Sequence, residues 1–446
     1  MSGKIIGEKE CTRRAEQQFM ARGNSPRGSN SMQNVSQGTM KPNRVWITAL
    51  TVGVIALALF LVGISKPSST FYDEFQYVSS ARAFLAGASN PNPEAPPLGK
   101  LLIAVGIKAL GDNPWGWRIA GSVCGALTLV AIFLWTHLLL HDYVLALTAC
   151  TLTLFNNFLF VMSRVAMMDV FLVMFIMWGL VAFTAVLEWK GLSAMTRRFI
   201  LGFAGTMFGL ACACKWNGID TLGIVLATSV ILLLVAKRSG DNRIVRYRTH
   251  LSQVGILPLI VALLVVPVAA YSLSYWPLCR SLHRPFTWSE LLSMNLYIWR
   301  FHLATPGNKA IASPWYTWLF ATNPQRGLSY LVGNVVVMWG GLLALAFCAR
   351  SFWKSFPEAL VLVLYAGNLL QWGFTPCKST FYYYYYPAAM FLGVAIPLAL
   401  RQLPERVLGI RPAFILVVAA AVIFVVCYPR MAHLDAPWDC AFGCWS

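Results

Sequence analysis

The feature that most constrains this sequence is a series of long apolar runs that continues along nearly the whole chain. A run of about 18 or more apolar residues can cross the hydrocarbon core of a bilayer as a helix. Hydrophobic residues make up 58% of the chain and charged residues only 12%, which leaves too little polar surface for a water-soluble globule of this size. We therefore predict an all-α polytopic membrane protein with about eleven transmembrane helices, at residues 46–64, 115–138, 143–162, 166–187, 199–214, 218–236, 252–275, 330–349, 357–374, 381–400 and 411–429.

The distribution of positive charge predicts the orientation of these helices. Residues 1–44 are polar and are predicted to be a disordered cytoplasmic tail, followed by a transmembrane domain at 45–430 and an extracytoplasmic tail at 431–446. Of the 35 Lys and Arg residues, 21 lie in the first tail and in the short loops 188–198, 237–248, 350–354 and 401–411 on the same side. The net charge of +18 is thus a topology signal and a source of contacts with membrane lipids, and we expect no nucleic-acid partner.

Two outer loops, 65–114 and 276–329, are too long to be simple connectors and are expected to carry function. The first contains an amphipathic stretch, Leu98–Leu110, which is too short to span the membrane and is predicted to lie in the interface. The second contains aromatic residues that suit an interfacial belt, namely Trp288, Tyr297, Trp299, Trp315, Tyr316 and Trp318.

Acidic residues in the first loop are the first candidates for chemistry. Asp73 and Glu74 form an acid pair within about ten residues of a helix end, where charge is costly to hold near lipid. A solvated loop pair is the alternative. Glu94 and Lys100 flank two prolines that stiffen the backbone, so they are further candidates, against the alternative of a turn with no other role.

Basic residues at the outer helix ends are the second group of candidates. They are Arg118, Arg164, Lys215 and Lys378. Any one of them alone is typical of a side chain that anchors a helix at the interface. Four on one face beside an acid pair predict a site for a phosphate carried by a lipid, because Arg offers phosphate a bidentate fork and Lys a mobile point charge.

Eight motifs occur in order along the chain: Asp73-Glu74, Glu94 to Lys100, Gly111 to Arg118, Ser163 to Leu172, Cys214 to Gly218, Ser313 to Trp318, Leu331 to Asn334, and Thr380 to Pro387. Together they resemble the protein O-mannosyltransferase family, the dolichyl-phosphate-mannose-dependent membrane glycosyltransferases with a GT-C fold. The second outer loop has no room for the soluble domain that eukaryotic members insert there. The resemblance is therefore to the bacterial type.

The resemblance implies an inverting sugar transfer on the extracytoplasmic face of the plasma (inner) membrane. The donor would be a polyprenyl-phosphate sugar, mannose by default, and the acceptor a hydroxyl of protein Ser or Thr. Asp73 would be the general base, with Glu74 orienting or binding the acceptor. The residues implied to bind substrate or the lipid phosphate are Glu94, Lys100, Arg118, Arg164, Lys215, His302, Lys378 and Tyr383 (or Tyr384), with Asp169 holding Arg164 in place.

One departure from the family pattern concerns a metal. Ala95 stands where the family usually has His, and where related lipid A aminoarabinose transferases have Lys after a Glu that helps to hold a metal. Alanine can neither bind phosphate nor ligate a metal, so we assign no metal ligands. We expect no required cofactor, with a divalent cation left open.

Two other functions remain open. A related transferase could modify a glycolipid or cell-wall polymer instead of a protein, since it would share the acid pair and differ only in acceptor. A transporter or flippase is the second alternative, but transporters place acids or broken helices at mid-membrane in related halves. Here the acids cluster in outer loops and no repeat is visible.

Overall fold

The computed structural model describes residues 42–70, 73–235, 241–304, 313–320, 333–375, 380–404 and 411–432. Within these ranges the chain forms helices and no strand. The helices are α1 (Pro42–Leu61), α2 (Glu74–Ala86), α3 (Leu98–Leu110), α4 (Pro114–Leu140), α5 (Tyr143–Leu154), α6 (Asn157–Met162), α7 (Met168–Glu188), α8 (Ala194–Cys214), α9 (Gly218–Val235), α10 (Asn242–Val254), α11 (Ile256–Ser281), α12 (Trp288–Ala304), α13 (Val335–Arg350), α14 (Phe356–Phe374), α15 (Tyr386–Leu400) and α16 (Pro412–Met431). Short 3-10 turns cover Trp315–Phe320 and Tyr382–Tyr385.

Seven helices of the described chain are long and apolar enough to cross a membrane: α1, α4, α7, α8, α11, α15 with its preceding 3-10 turn, and α16. Helices α5, α9 and α13 are apolar but shorter, and α14 corresponds to the remaining apolar run. The all-α, multi-pass membrane architecture is confirmed, whereas the count of eleven spans stays a prediction. The predicted tails at 1–44 and 431–446 lie outside the described residues except at their inner ends.

The predicted single helix at 143–162 is wrong, because the chain breaks between α5 and α6. The side chain of Asn156 accepts hydrogen bonds from the backbone N–H groups of Phe158 and Asn334, each at 3.2 Å. It therefore caps α6 and fixes the start of α13 at the same time. A second break separates α10 from α11 at Gly255, whose φ of +87° is a conformation that favours glycine.

Helices α4, α7 and α15 form the centre of the protein. Between 83% and 89% of their membrane-length windows are buried, compared with 17% for α1 and α16. The indole N–H of Trp135 on α4 donates to the Thr184 hydroxyl on α7 at 2.9 Å, which joins two of the central helices. Helices α1 and α16 consequently lie at the periphery, with their apolar side chains outward.

Helices α8 and α11 approach so closely that their backbones touch. A Cβ atom at Gly205 would lie 1.8 Å from the carbonyl oxygen of Ala262, and one at Gly209 would lie 2.4 Å from that of Pro267. The contact includes a π-helical turn of α11 at Val261–Val265. Only glycine permits this approach. The contact with α11 therefore fixes the position of α8, the helix that ends directly before Lys215.

In the described parts of the two long outer loops, the chain forms the helices α2, α3 and α12. Helix α3 has the bounds expected for the amphipathic stretch, so its helical form is confirmed. It packs on α4 closely enough that a Cβ at Gly106 would lie 2.3 Å from the Gly116 carbonyl oxygen. Helix α2 begins directly after Asp73, and α12 lies in the second loop. These helices place the acidic and basic candidates around one region of the protein.

Candidate active site

Asp73 lies at the N-cap position of α2, half-buried. Its Oδ2 accepts a hydrogen bond of 2.7 Å from the Tyr383 hydroxyl, which belongs to the 3-10 turn before α15. Burial raises the pKa of the Asp73 carboxyl, while the Tyr383 hydrogen bond and the positive charge of Lys215 act in the opposite direction. A carboxyl with a raised pKa holds a proton more readily than an ordinary aspartate, as a general base requires.

Lys215 follows the last residue of α8 and is the cation beside Asp73. Its Nζ lies 2.8 Å from Asp169 Oδ1, at the start of α7. The same Nζ lies 3.8 Å from the ring centroid of Tyr384 and 5.4 Å from that of Tyr383. The lysine side chain is 19% exposed, whereas that of Asp169 is 1% exposed. The ammonium is thus held by a carboxylate and two aromatic faces, while the lysine side chain stays partly exposed.

Glu74 forms a buried ion pair with Arg118, whereas Asp73 contacts Tyr383. Arg118 Nε lies 2.8 Å from Glu74 Oε1 and Nη2 lies 2.9 Å from Oε2, with both side chains at most 1% exposed. The backbone N–H of Ala166 also donates to Glu74 Oε1, at 3.0 Å. The other N–H groups of Arg118 donate to the carbonyl oxygens of Ile64, Pro67 and Ser69, at 2.8, 2.9 and 3.1 Å. Both charged side chains therefore bind partners inside the protein.

Arg164 also donates to the end of α1. Its Nη1 donates to the carbonyl oxygens of Phe60, at 2.7 Å, and Val62, and its guanidinium lies 5.0 Å from the Phe160 ring. The predicted pairing of Asp169 with Arg164 is wrong, since Asp169 pairs with Lys215 instead. The physical reason is that the last carbonyl groups of a helix have no partner within the helix and attract a guanidinium.

Lys100 is fully buried and supports the first loop. Its Nζ donates to Asn92 Oδ1 at 3.1 Å and to the Ala95 carbonyl oxygen at 3.0 Å, as well as to the carbonyl oxygen of Asn92. Burial lowers the pKa of Lys100 to about 7, against the opposing effect of the Glu94 charge. Loop oxygens surround the ammonium, so this arrangement leaves it no open face for a phosphate.

Glu94 links the two outer loops. Its backbone carbonyl accepts a hydrogen bond of 3.1 Å from Nε2 of His302 on α12, so Nε2 carries the proton. Its carboxylate accepts from the Asn92 side-chain amide, which also donates to Gln76 at 2.8 Å. Burial lowers the pKa of His302. The negative charge of Glu94 adds to the rise in the pKa of Asp73, so Glu94 lies within electrostatic reach of that carboxyl.

The structure brings together Asp73, Asp169, Lys215 and Tyr383, with Glu94 and His302 at one side. Lys378 lies outside the described residues. Sequence reasoning missed Gln76 and Tyr77, which follow Asp73 by three and four residues. Residues three and four positions apart lie on the same face of a helix. A helix that starts at Asp73 could therefore have indicated that Gln76 and Tyr77 lie beside it. Burial and the charge of Asp73 raise the pKa of Tyr77.

A carboxyl with a raised pKa within electrostatic reach of a partly exposed lysine can remove a proton and stabilise an anion at the same site. The part of the chain that the structure describes contains no cluster of three or more His, Cys, Asp or Glu residues suited to a metal. His302 uses Nε2 on the Glu94 carbonyl, so this nitrogen has a protein partner. A role for a divalent cation stays a prediction.

Comparison with known proteins identifies the family. The family model for dolichyl-phosphate-mannose-protein mannosyltransferase matches residues 50–283, more than half of the chain. The chain belongs to this family. The match runs from α1 through α11 and so includes Asp73, Lys100, Arg118, Asp169 and Lys215. The family predicted from the sequence motifs is confirmed, and with it the glycosyltransferase class.

Individual mannosyltransferases and a related enzyme agree with this assignment. The polyprenol-phosphate-mannose–protein mannosyltransferase of Corynebacterium glutamicum is 25% identical over 432 residues, covering 80% of this chain and 82% of that protein. The undecaprenyl phosphate-α-4-amino-4-deoxy-L-arabinose arabinosyl transferase of Pseudomonas aeruginosa is 28% identical over 337 residues, covering 72% and 54%. The S. cerevisiae protein O-mannosyltransferase Pmt1-Pmt2 complex bound to the sugar donor matches with a TM-score of 0.72 at 13% identity, over 89% of this chain and 91% of that one. This last similarity confirms the GT-C fold.

Proposed function

We propose that this mannosyltransferase-family protein transfers a sugar, mannose by default, from a polyprenyl-phosphate carrier to a hydroxyl of protein Ser or Thr. The observation that carries the proposal is that Asp73, which accepts a hydrogen bond from Tyr383, lies within electrostatic reach of the partly exposed Lys215, which itself pairs with Asp169. The names of two relatives support the donor class, since one uses polyprenol-phosphate mannose and the other an undecaprenyl-phosphate sugar. We place the site on the extracytoplasmic face of the plasma (inner) membrane and the N-terminus in the cytoplasm, because the basic loops are on the opposite side.

The reaction is a single displacement at the anomeric carbon. Asp73 takes the proton of the acceptor hydroxyl while the hydroxyl oxygen forms the new glycosidic bond with inversion. The bond between the anomeric carbon and the phosphate oxygen breaks, and the polyprenyl phosphate leaves with the electron pair. Lys215 stabilises the charge that develops on this oxygen. Tyr383 holds the Asp73 carboxylate in position through its 2.7 Å hydrogen bond.

The buried ion pair between Glu74 and Arg118 supports this chemistry by holding the surrounding structure in place. Their buried pair joins the start of α2 to α4 and to the segment that follows α1. Because Glu74 is the residue next to Asp73, the pair fixes the backbone that presents the base. In this proposal Arg118 joins the segment that follows α1 to the start of α2, and Arg164 joins the end of α1 to the turn between α6 and α7. Of the described basic residues, Lys215 takes the lipid phosphate.

The variant Lys215→Met should raise the KM for the donor by about 10- to 100-fold, the range expected on losing a hydrogen bond to a charged group. It should also move the acid limb of the kcat/KM profile to higher pH. Lys215 lowers the pKa of Asp73, so its loss raises that pKa, and the base then loses its proton only at higher pH. Initial rates over a pH series with varied donor would measure both effects.

Two comparisons make this test specific. Lys215→Arg keeps the positive charge beside Asp169 and should restore the acid limb. Lys108→Met removes an exposed lysine of α3 and should change neither quantity. An acid limb that stays in place in Lys215→Met would contradict the proposed effect of the Lys215 charge on Asp73.

Radiolabelled polyprenyl-phosphate mannose, incubated with membranes that contain the chain, tests the proposed reaction. We expect the label to move to protein and to be released by β-elimination, as a sugar on Ser or Thr would be. Label recovered in glycolipid or wall polymer would favour the alternative acceptor, which the similarity to the arabinosyl transferase supports. If the label stays on the donor while membranes of a known mannosyltransferase transfer it, the donor assignment is wrong.

A further inference from the structure

A second cluster of basic side chains surrounds a cavity outside the catalytic site. The cavity lies between the segment that follows α1, helix α4, the end of α16 and the turn from α6 to α7. Three basic residues line it, namely Lys66, Arg118 and Arg164. Glu74 neutralises Arg118, whereas neither Lys66 nor Arg164 has a carboxylate partner among the described residues. The described chain therefore leaves two positive charges at this cavity without a counter-ion.

Arg164 supplies the buried charge of this cavity, since the residue is only 5% exposed. Its Nη atoms donate to backbone carbonyls at the end of α1 and to that of Ala432. Its Nε is buried and has no hydrogen-bond partner in the described structure. A buried donor without an acceptor is costly, because it has lost its hydrogen bond to water. A water molecule in the cavity would accept this bond but leave the charges uncompensated, whereas an anion would accept the bond and also balance the charge.

The place of the cavity in the fold indicates where such an anion comes from. Its apolar wall is formed by Val161, Val165 and Met431. Met431 is the last residue of α16, and the exposed Lys66 follows the end of α1 by five residues. Helices α1 and α16 are the least buried of the seven candidate spans. The ends of two such helices lie where the hydrocarbon core meets the lipid head groups, so the phosphates of membrane lipids are the nearest anions.

We propose that this cavity binds the phosphate group of an anionic membrane phospholipid, with Arg164 as the buried donor and Lys66 as the exposed cation. Guanidinium and ammonium groups both bind phosphate through charge-assisted hydrogen bonds, and basic pockets between transmembrane helices bind lipid head groups. Free phosphate would meet the same groups, but only a lipid also places acyl chains against the outward apolar faces of α1 and α16. The site does not depend on the proposed reaction, since Lys215 is not part of it.

The test titrates the purified full chain in detergent with phosphatidylglycerol and measures the Kd of the first bound lipid by native mass spectrometry. Lys66→Met should raise this Kd by about fivefold, the loss expected for one basic side chain near a lipid head group, whereas Lys66→Arg should keep it. Arg164→Lys retains the charge but loses the Nε donor, so it should raise the Kd by about twofold or more. Phosphatidylcholine, whose phosphate already lies beside a quaternary ammonium, should bind at least about fivefold more weakly.

A matched control is Lys108→Met, which removes an exposed lysine of α3 and should change the Kd by less than about twofold. Equal rises in Lys66→Met and Lys108→Met, or no rise in either, would overturn the proposal and leave water as the occupant of the cavity. Inorganic phosphate should displace the lipid only in large excess, and displacement at equal concentration would assign the cavity to free phosphate instead. Asp435→Asn with Asp439→Asn should leave the Kd unchanged, and tighter lipid binding in this variant would identify the chain's own carboxylates as the counter-ions.

Discussion

Asp73→Asn is expected to lower kcat by about 10²- to 10⁴-fold, the contribution typical of a general base. Asparagine keeps the size of the side chain and can still pair with the Tyr383 hydroxyl, but it cannot accept the proton of the acceptor hydroxyl. Donor binding should change little, because Lys215 and Asp169 keep their ion pair. Transfer of radiolabelled sugar, measured at saturating donor, gives the change in kcat, and the yield of protein in the membrane fraction reports on insertion.

The same substitution at an exposed position controls for the loss of a carboxylate. Asp112→Asn removes one from the surface, where Asp112 pairs with Arg82 and both side chains are over 40% exposed, and it should keep kcat within about twofold. If Asp73→Asn retained more than a tenth of the activity, the base would have to be sought elsewhere. A transporter would keep its transport rate in this variant.

Arg118→Met is expected to destabilise the protein by about 3–5 kcal/mol, the cost of leaving a buried charge without its partner. The change removes the cation from Glu74, which is 0% exposed, and three donors from the carbonyl groups that follow α1. Thermal unfolding of the detergent-purified protein would show a lower Tm. The loss should exceed that of Arg82→Met at the exposed Arg82–Asp112 pair, which is worth about 0–1 kcal/mol.

A double variant separates the charge from the packing. With Glu74→Gln added to Arg118→Met, no unpaired charge remains, so part of the lost Tm should return. Equal Tm values for the single and the double variant would show that the carbonyl contacts of Arg118, not its pairing with Glu74, stabilise this region. Unchanged stability in Arg118→Met would contradict the buried pair.

Much of the fold could be predicted from the sequence, since apolar length sets membrane crossing. The eleven apolar runs correspond to helices, and the amphipathic segment in the first loop has its expected bounds. The break after α5 was not predicted, because residues 143–162 are long enough for one span and mostly apolar on both sides of Asn156 and Asn157. The signal was Asn156, whose side chain caps α6 locally through the Phe158 N–H, whereas its second contact, with the Asn334 N–H, comes from a residue distant in sequence.

The site was predicted as a set of charged residues but not as a set of pairs. Positions at helix ends indicated which arginines and lysines lie on the outer side of the membrane. Asp73 and Lys215 lie close enough in the structure for the charge of one to affect the other. The sequence does not show which acceptors lie near each cation. Arg118 meets Glu74, and Arg164 meets the carbonyls that end α1, more than 100 residues earlier. Only the packed helices determine these partners.

The glycine contact between α8 and α11 restricts how the site can open to admit an acceptor. Because the two backbones touch at Gly205 and Gly209, they have no layer of side chains between them that could slide or shear. Lys215 at the end of α8 and the helix that follows α11 should therefore shift as a single rigid block. If the first loop moves relative to this block, the His302–Glu94 hydrogen bond, which joins the two, has to break.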